Sequence, residues 1–309
     1  MTSRTSSRLP WMVSLHGGHS GEFCDHAQGA LEEILEAAVA AGYTTFGVSE
    51  HAPRVEDRFL YSEERKMGWT VPKLERDFAA YIQTVRTLSR KFEDRLTVLR
   101  GFEAEVVPTA DYERLMRAYR RQLLPDGSPA FDYTVGSVHY VNELQIDGSA
   151  TNFRRAADAA GGIEALAVQY YRAVAAMTTA LRPEVVGHLD LIKKNVEAAG
   201  YRRADVEGTT ARKAAESALE AIISAGSILD LNTAGWRKGL GEPYPGPWLV
   251  EQAHKMGAVF CFGDDSHRPS DVGQRIGDAR LYLLNLNVRS ITTLSTAAGT
   301  LNRVQVGLE

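Results

Sequence analysis

The amino-acid sequence predicts an α/β fold, a distorted TIM-like barrel of seven strand–helix units with a metal site at the C-terminal ends of its strands. Short apolar runs of strand-forming residues alternate with amphipathic helical patterns. Polar side chains that can bind metal follow at least six of these runs. An open doubly wound sheet usually binds its ligand at one switch point, whereas a barrel gathers residues from many strand ends. This spread therefore favours the barrel over the open sheet.

Seven runs are predicted as barrel strands, with an eighth candidate near the end of the chain. They are Met12–His16, Thr44–His51, Leu96–Val106, Phe131–Val141, Val185–Leu191, Ser227–Asn232 and Val259–Asp265, and the eighth is Leu281–Leu286. Apolar residues spaced i, i+3 and i+4 predict helices around Leu31–Val39, Leu74–Leu88 and Ala214–Ile223. Strict alternation of strand and helix indicates parallel strands joined by crossover helices.

Three long segments between these elements are predicted to be functional loops, namely Ala52–Pro72, Asn142–Gly161 and Thr233–Pro247. Barrels of this kind often run to about 250 residues as one domain. We therefore expect a single domain over residues 1–309, with residues 1–10 as a disordered tail.

The composition excludes several classes of protein. The chain has 35 Lys and Arg against 39 Asp and Glu, a net charge of −4, so it lacks the basic field of a nucleic-acid binder. No apolar run approaches the roughly 18 residues needed to span a bilayer. Two cysteines, Cys24 and Cys261, cannot build a disulfide framework, which suits a reducing cytosol. We expect a cytoplasmic protein with a small-molecule partner and with neither nucleic-acid nor membrane partners.

Seven of the eight histidines follow or end predicted strands, together with several carboxylates. These strand-end residues are His16, His19, His26, Glu50, His51, Glu103, Glu105, His139, His188, Asp265 and His267. Crowding so many polar groups at one barrel mouth is costly unless a cation pairs with them. Imidazole and carboxylate are ordinary ligands of divalent metals. Their number predicts two or three transition metals (Zn, Fe or Mn), with Glu103 as a bridging carboxylate. Cys24, which lies among these histidines, is either a thiolate ligand or a small buried residue.

Several segments resemble, in order, motifs of the polymerase-and-histidinol-phosphatase (PHP) superfamily of metal-dependent phosphoesterases, most of all its histidinol-phosphate phosphatases. The segments are LHGGHSGEFCDHA, SEHAPR, GFEAEVVP, GSVHY, GHLDLIKKN, LDLNTAGWRKGLGEPYPGP and FGDDSHRPSDVG. The resemblance implies a barrel of seven βα units and a trinuclear metal cluster. It also implies hydrolysis of L-histidinol phosphate to L-histidinol and phosphate in histidine biosynthesis.

When the family's metal ligands are matched to this chain motif by motif, the resemblance implies nine of them. They are His16, His19, His26, His51, Glu103, His139, His188, Asp265 and His267. The chain departs from the family pattern in two places. Two glycines separate His16 from His19 where the family usually has H-x-H, and Glu50 stands where Asp is common, so Glu50 is not counted as a ligand.

The expected reaction is attack of a metal-bound hydroxide on the phosphorus, without a phosphoenzyme. Asp265, His267 and Glu103 are the expected catalytic residues, with Asp265 or a strand-end histidine orienting the hydroxide or protonating the leaving oxygen. Other side chains near strand ends are candidates for substrate binding. These are Arg54, Arg237 and Arg268 for the phosphate, Glu105 and Glu242 for the cationic part of the substrate, and Trp69 and Trp236 for stacking.

Other functions remain open at this point. A PHP phosphoesterase for another small phosphate ester would use the same metals and differ only in its long loops. A non-catalytic metal-binding protein would have closed coordination shells. A DNA exonuclease is disfavoured by the net charge of −4.

Overall fold

Seven parallel strands close into a barrel in the computed structural model, which describes residues 9–297 and 299–309. The strands of the described chain are β1 Val13–Gly17, β2 Thr45–His51, β3 Thr97–Glu105, β4 Tyr133–Ser137, β5 Tyr140–Val141, β6 Leu144–Gln145, β7 Val185–Val186, β8 Ile228–Asn232, β9 Phe260–Gly263, β10 Ser290–Ala297 and β11 Thr300–Gly307. The barrel order is β1-β2-β3-β4-β7-β8-β9, and β9 pairs with β1 to close it. The predicted seven-stranded barrel is therefore confirmed.

Helices cover the outside of the barrel. They are α1 Leu31–Ala41, α2 Ser62–Lys66, α3 Val71–Lys91, α4 Tyr112–Arg120, α5 Ala150–Ala160, α6 Ile163–Leu181, α7 Thr209–Ala225, α8 Ala234–Arg237, α9 Pro247–Lys255 and α10 Ile276–Asn285. In α1, Ile34, Leu35 and Ala38 are buried on one face, and Gly42 ends the helix at φ 88°. All three predicted helices are present. None of the helices in the described part of the chain is long and apolar enough to cross a membrane.

The prediction of an eighth strand at Leu281–Leu286 is wrong. This segment lies almost wholly in α10, where Ala279 and Leu283 are buried four residues apart on one helical face. An apolar run of six residues does not distinguish a short strand from a buried helix.

The three predicted loops contain more regular structure than expected. Ala52–Pro72 includes α2, and Thr233–Pro247 includes α8. Asn142–Gly161 holds β6 and all of α5, whose first turn is capped by the Ser149 hydroxyl accepting from Asn152 N at 3.2 Å. Of the predicted tail, residues 1–8 lie outside the described residues, and Leu9 and Pro10 are exposed.

The antiparallel hairpin β10–β11, which the sequence did not predict, packs across the amino-terminal end of the barrel. Leu294 of β10 is 1% exposed and joins the barrel-interior side chains, among them Leu15, Leu99 and Ile228. Thr296 lines a groove with Leu96 and Thr97 at the start of β3. The hairpin therefore closes the end of the barrel opposite to the strand ends that carry the histidines.

Replacing Leu294 by alanine is expected to destabilise the fold by about 2–5 kcal/mol, because it opens a cavity at the closed end of the barrel. Urea unfolding followed by circular dichroism measures this loss. Val304→Ala, on the exposed face of β11, is the control and should change stability by less than about 0.5 kcal/mol. Equal effects of the two substitutions on stability would show that the hairpin does not close the end of the barrel.

Candidate metal centre

The carboxyl ends of six barrel strands bring the predicted ligands to one place. His16 lies in β1, His51 ends β2 and Glu103 lies in β3. His139, His188 and Asp265 each follow their strand by two residues. All six side chains are buried except for a 13% exposed fraction of His51. The clustering arises because parallel barrel strands all point their carboxyl ends to the same mouth.

Glu103 lies at the centre of this cluster. Its carboxylate oxygens are 3.0 Å from His51 Nδ1, 3.3 Å from His188 Nε2 and 3.6 Å from His16 Nε2. The Nε2 atoms of His19 and His139 both lie 3.8 Å away. Burial alone would raise the pKa of Glu103, but His16 and His51 outweigh it and hold that pKa well below its usual range. One anionic carboxylate is therefore surrounded by five imidazoles.

Asp265 occupies the other side of the cluster. Its Oδ1 lies 3.5 Å from His19 Nε2 and 3.6 Å from His267 Nδ1, and its Oδ2 lies 3.6 Å from Lys238 Nζ. Burial raises the pKa of Asp265, but Lys238 and His19 outweigh it, so the pKa lies well below its usual range. Asp265 at φ 45° and His188 at φ 24° hold left-handed backbone angles that non-glycine residues rarely adopt. Such strain is often found at functional sites.

Two glycines accommodate the departure from the family's H-x-H motif. Gly18 has φ 28°, and Gly17 packs so closely that a Cβ there would lie 2.5 Å from the Phe46 ring. This turn places the rings of His16 and His19 with centroids 6.3 Å apart, and both rings face Glu103. The H-G-G-H spacing thus delivers both histidines to the same cluster.

The donor set of the cluster fits metal cations. Several buried ring nitrogens have no hydrogen-bond partner, among them His16 Nε2, His51 Nε2 and both nitrogens of His19. Other ring nitrogens face each other directly, as in His139 Nε2–His188 Nε2 at 3.3 Å and His26 Nε2–His267 Nε2 at 3.0 Å. Buried ring nitrogens without a hydrogen-bond partner destabilise the folded protein, and a divalent cation is a suitable partner for them.

The possible ligand groups overlap. In each group the donor atoms lie within 4.8 Å of one another, and the groups include His16–His19–Glu103, Glu103–His139–His188 and His16–His188–Asp265. Glu103 belongs to two of these groups and has two carboxylate oxygens, so it is a ligand that neighbouring cations could share.

Two carboxylates behind the cluster orient its histidines, and the sequence did not assign either of them this role. Asp230 Oδ2, on β8, lies 2.8 Å from His16 Nδ1 and 3.3 Å from the amide of His188. Glu105 Oε1 lies 2.9 Å from His51 Nδ1 and 2.8 Å from His139 Nδ1. Such outer partners fix the orientation of ligating histidines. The signal for Asp230 was a lone carboxylate within a short, largely apolar strand.

The cluster opens into a cleft of about 770 Å³. His51, Glu103, His139, His188, Asp265 and His267 line its floor, and His26 lies at its edge with a side chain 39% exposed. Among the predicted phosphate-binding arginines, the structure brings Arg237 and Arg268 to the cleft. Arg237 also donates to the backbone oxygens of Asp264 and Asp265, so it supports the turn that carries Asp265.

The structure does not bring three predicted substrate-binding residues to the cleft. Arg54 is 3% exposed, and its Nη1 lies 2.7 Å from Glu105 Oε2, so the two residues pair with each other behind the histidines. Glu242 lies 3.0 Å from Lys193 Nζ in a separate small cavity. Spacing from a strand end does not indicate whether a side chain faces the cleft or a buried partner.

The two tryptophans offered for stacking also lie away from the cleft lining. Trp69 packs under Lys73 Nζ, and Trp236 packs edge-on against Tyr282 with ring centroids 5.8 Å apart. Two lysines that were not predicted from the sequence line the cleft instead. Lys238 faces Asp265, and Lys194 Nζ lies 3.3 Å from Asp147 Oδ2. Two features of the sequence could have indicated these lysines. Lys238 directly follows Arg237, and Lys194 lies in the KKN segment that resembles a family motif.

A closed parallel barrel with a histidine–carboxylate cluster at its strand ends defines a class of metal-binding barrel proteins. The model of the PHP domain matches residues 16–234 of this chain. A probable histidinol-phosphatase of Schizosaccharomyces pombe is 32% identical over 287 residues, covering 90% of this chain and 88% of that protein. The chain therefore belongs to the PHP domain family.

One further protein is similar in sequence, and one solved structure is similar in fold. A histidinol-phosphatase of Saccharomyces cerevisiae is 26% identical over 299 residues, covering 88% of each chain. The fold matches the crystal structure of histidinol phosphate phosphatase from Lactococcus lactis subsp. lactis, complexed with zinc, L-histidinol and phosphate. That match has a TM-score of 0.68 and 18% sequence identity, and it covers 94% of this chain and 99% of that one.

Proposed function

We propose that this protein is a phosphomonoesterase that hydrolyses L-histidinol phosphate to L-histidinol and phosphate. The observation that carries the proposal is the buried Glu103 carboxylate among five imidazoles at the floor of an open cleft with cationic walls. Relatives that match nearly the whole chain are named for this activity.

The nine strand-end side chains would hold two or three divalent transition metals, with Glu103 shared between neighbouring cations. Zinc is the first candidate, because the Lactococcus lactis protein is complexed with it. Bound metals would lower the pKa of water and polarise the phosphate oxygens. Asp230 and Glu105 would keep the imidazoles of His16, His51 and His139 correctly oriented for this task.

The cleft walls supply the remaining functions. Lys238, Lys194 and Arg268 present cationic groups that would bind the phosphate and neutralise its charge. Asp265 lies within 4 Å of His19, His267 and Lys238, so its ionised carboxylate would orient the water that attacks the phosphorus.

The organic part of the substrate would meet carboxylates of the cleft lining, two of which pair with cleft cations, Asp147 with Lys194 and Asp271 with Arg268. Glu63, Asp147 and Asp271 line the cleft, and they would take the role predicted from the sequence for Glu105 and Glu242. Carboxylates there would attract the cationic amine and imidazole of histidinol. A closed metal-storage site would not need a cleft of this size above its ligands, which favours the enzyme over the non-catalytic alternative.

Phosphate release from histidinol phosphate, measured beside a nucleotide monophosphate and a sugar phosphate, tests the proposal. We expect kcat/KM to favour histidinol phosphate by more than about 100-fold, because the other esters would leave charged groups of the cleft unpaired. Equal or better turnover of another ester would establish the alternative, a PHP phosphoesterase for a different small substrate.

Lys238→Gln is expected to lower kcat/KM by about 10- to 100-fold, because a hydrogen bond to a charged group contributes about 1.5–3 kcal/mol. Steady-state kinetics measure this loss, and elemental analysis should find the metal content unchanged. The control is Lys255→Gln on the exposed end of α9, which should leave kcat/KM unaltered. Unchanged kinetics in Lys238→Gln would remove this lysine from phosphate binding.

A further inference from the structure

Cys24 lies in the turn after β1, directly beside the metal centre. The side chain is 5% exposed, and the backbone amide donates to Ser20 O at 2.9 Å, which fixes the turn. Its Sγ lies 3.3 Å from Nδ1 and 3.6 Å from Nε2 of His26. A sulfur that served only to fill apolar space would be surrounded by apolar groups, whereas this one faces imidazoles.

Four donor atoms converge at this point. Cys24 Sγ and ring nitrogens of His19, His51 and His267 all lie within 4.8 Å of one another. His19 provides an independent sign of a ligand, because its ring is fully buried and neither of its nitrogens has a hydrogen-bond partner. The rings of His51 and His267 both pack against His19, with centroids 4.4 and 4.5 Å away.

The distances fit coordination to one cation. Zn–S bonds of about 2.3 Å and Zn–N bonds of about 2.0–2.1 Å at a tetrahedral angle place sulfur and nitrogen roughly 3.5 Å apart. In the proposed donor set, Cys24 Sγ and the ring nitrogens of His19, His51 and His267 lie within 4.8 Å of one another, so side-chain rotations alone would bring them to this separation. His26, whose Nδ1 is 3.3 Å from the sulfur, is a neighbour of this set and not a member of it.

We propose that the thiolate of Cys24 is a metal ligand, completing with His19, His51 and His267 the donor set of one cation in the cluster. A thiolate adds a negative charge beside mostly neutral imidazoles, and it is a soft ligand. This position therefore prefers zinc or cobalt to manganese, whereas positions formed only by imidazole and carboxylate discriminate less. The inference rests on the metal centre of the proposed function and not on the identity of the substrate.

Cobalt substitution tests this assignment, because cysteine thiolate bound to Co²⁺ gives a sulfur-to-metal charge-transfer absorption in the near ultraviolet. The chain has two cysteines, and the other one, Cys261, is fully buried in the barrel interior. We expect the band in the cobalt-loaded wild-type protein and in Cys261→Ala, and its loss in Cys24→Ser. The band requires no turnover, so its presence or absence is independent of the substrate.

Absence of the band in the wild-type protein, or its survival in Cys24→Ser, would overturn the proposal. Should Cys24→Ser fail to fold, Cys261→Ala alone decides the question, since Cys24 is then the sole thiol. Competition with a chromophoric chelator gives a second readout, in which zinc affinity at one site falls by at least about 10-fold in Cys24→Ser. Unchanged zinc affinity of a folded Cys24→Ser protein would also contradict the assignment. Loss of phosphate release with an intact charge-transfer band would instead count against the proposed function.

Discussion

Glutamine in place of Glu103 is expected to lower bound metal and turnover together. The carboxylate lies within 4 Å of five imidazoles and belongs to two of the overlapping ligand groups. Several divalent cations facing mostly neutral imidazoles repel one another, and an anion between them reduces this repulsion. Glutamine keeps the shape of the side chain but removes the charge and one acceptor oxygen.

The expected loss is large. Removing an outer partner of a metal ligand typically costs about 10- to 100-fold in affinity or activity, and a shared ligand should cost at least as much. Elemental analysis and phosphate release on the same sample measure both effects. The apolar barrel core lies below the cluster, so the variant should still fold.

Glu64→Gln is the matched control, because it makes the same change at another buried carboxylate. Glu64 lies 3.5 Å from Arg54 Nη2 and accepts from Tyr61 N at 2.6 Å, away from the histidines. It should retain metal and turnover. Glu105→Gln is unsuitable as a control, since it would directly disturb His51 and His139. If Glu103→Gln keeps its metal and turnover, the carboxylate is not shared between cations.

Exhaustive chelation is expected to abolish phosphate release and to lower the melting temperature. Without metal, buried nitrogens of His16, His19 and His51 lack hydrogen-bond partners, and such groups destabilise a folded protein. A ligand that binds the folded state at 100 times its Kd contributes about 2.7 kcal/mol per site. Turnover and thermal unfolding should both recover when zinc is added back.

The control for chelation is the same chelator already saturated with zinc, which should leave both properties unchanged. Elemental analysis must show that the metal has been removed. Full turnover by a protein shown to be free of metal would exclude the proposed chemistry, and an unchanged melting temperature would show that the cluster is stable without cations.

The barrel was predictable because its signals are local. Each strand is a short apolar run, and each metal-capable residue follows one, as at His51 and His139. The hairpin β10–β11 was missed because nothing in its local pattern shows that Leu294 fills the barrel interior. The run Leu281–Leu286 was misassigned because a short apolar segment suits either a strand or a buried helix.

The metal cluster was easier to predict than the substrate-binding side chains of the cleft. Strand ends converge in any parallel barrel, so their residues meet regardless of detail. The position of a longer side chain depends instead on the groups with which it pairs. Lys193 and Lys194 are adjacent, yet Lys193 Nζ is buried against Asp190 at 2.8 Å while Lys194 lines the cleft. Arg54 and Glu105 were likewise assigned to the substrate because their mutual pairing cannot be read from spacing.

The most direct test of the central claim, that the strand-end cluster is a multinuclear metal centre, is anomalous diffraction. Crystals of the zinc-reconstituted protein would be measured on both sides of the zinc absorption edge. We predict two or three anomalous peaks at about 2.0–2.3 Å from donor atoms of the nine strand-end side chains, with Glu103 bound to two of the metals. A single peak, or peaks away from Glu103 and its surrounding histidines, would contradict the account.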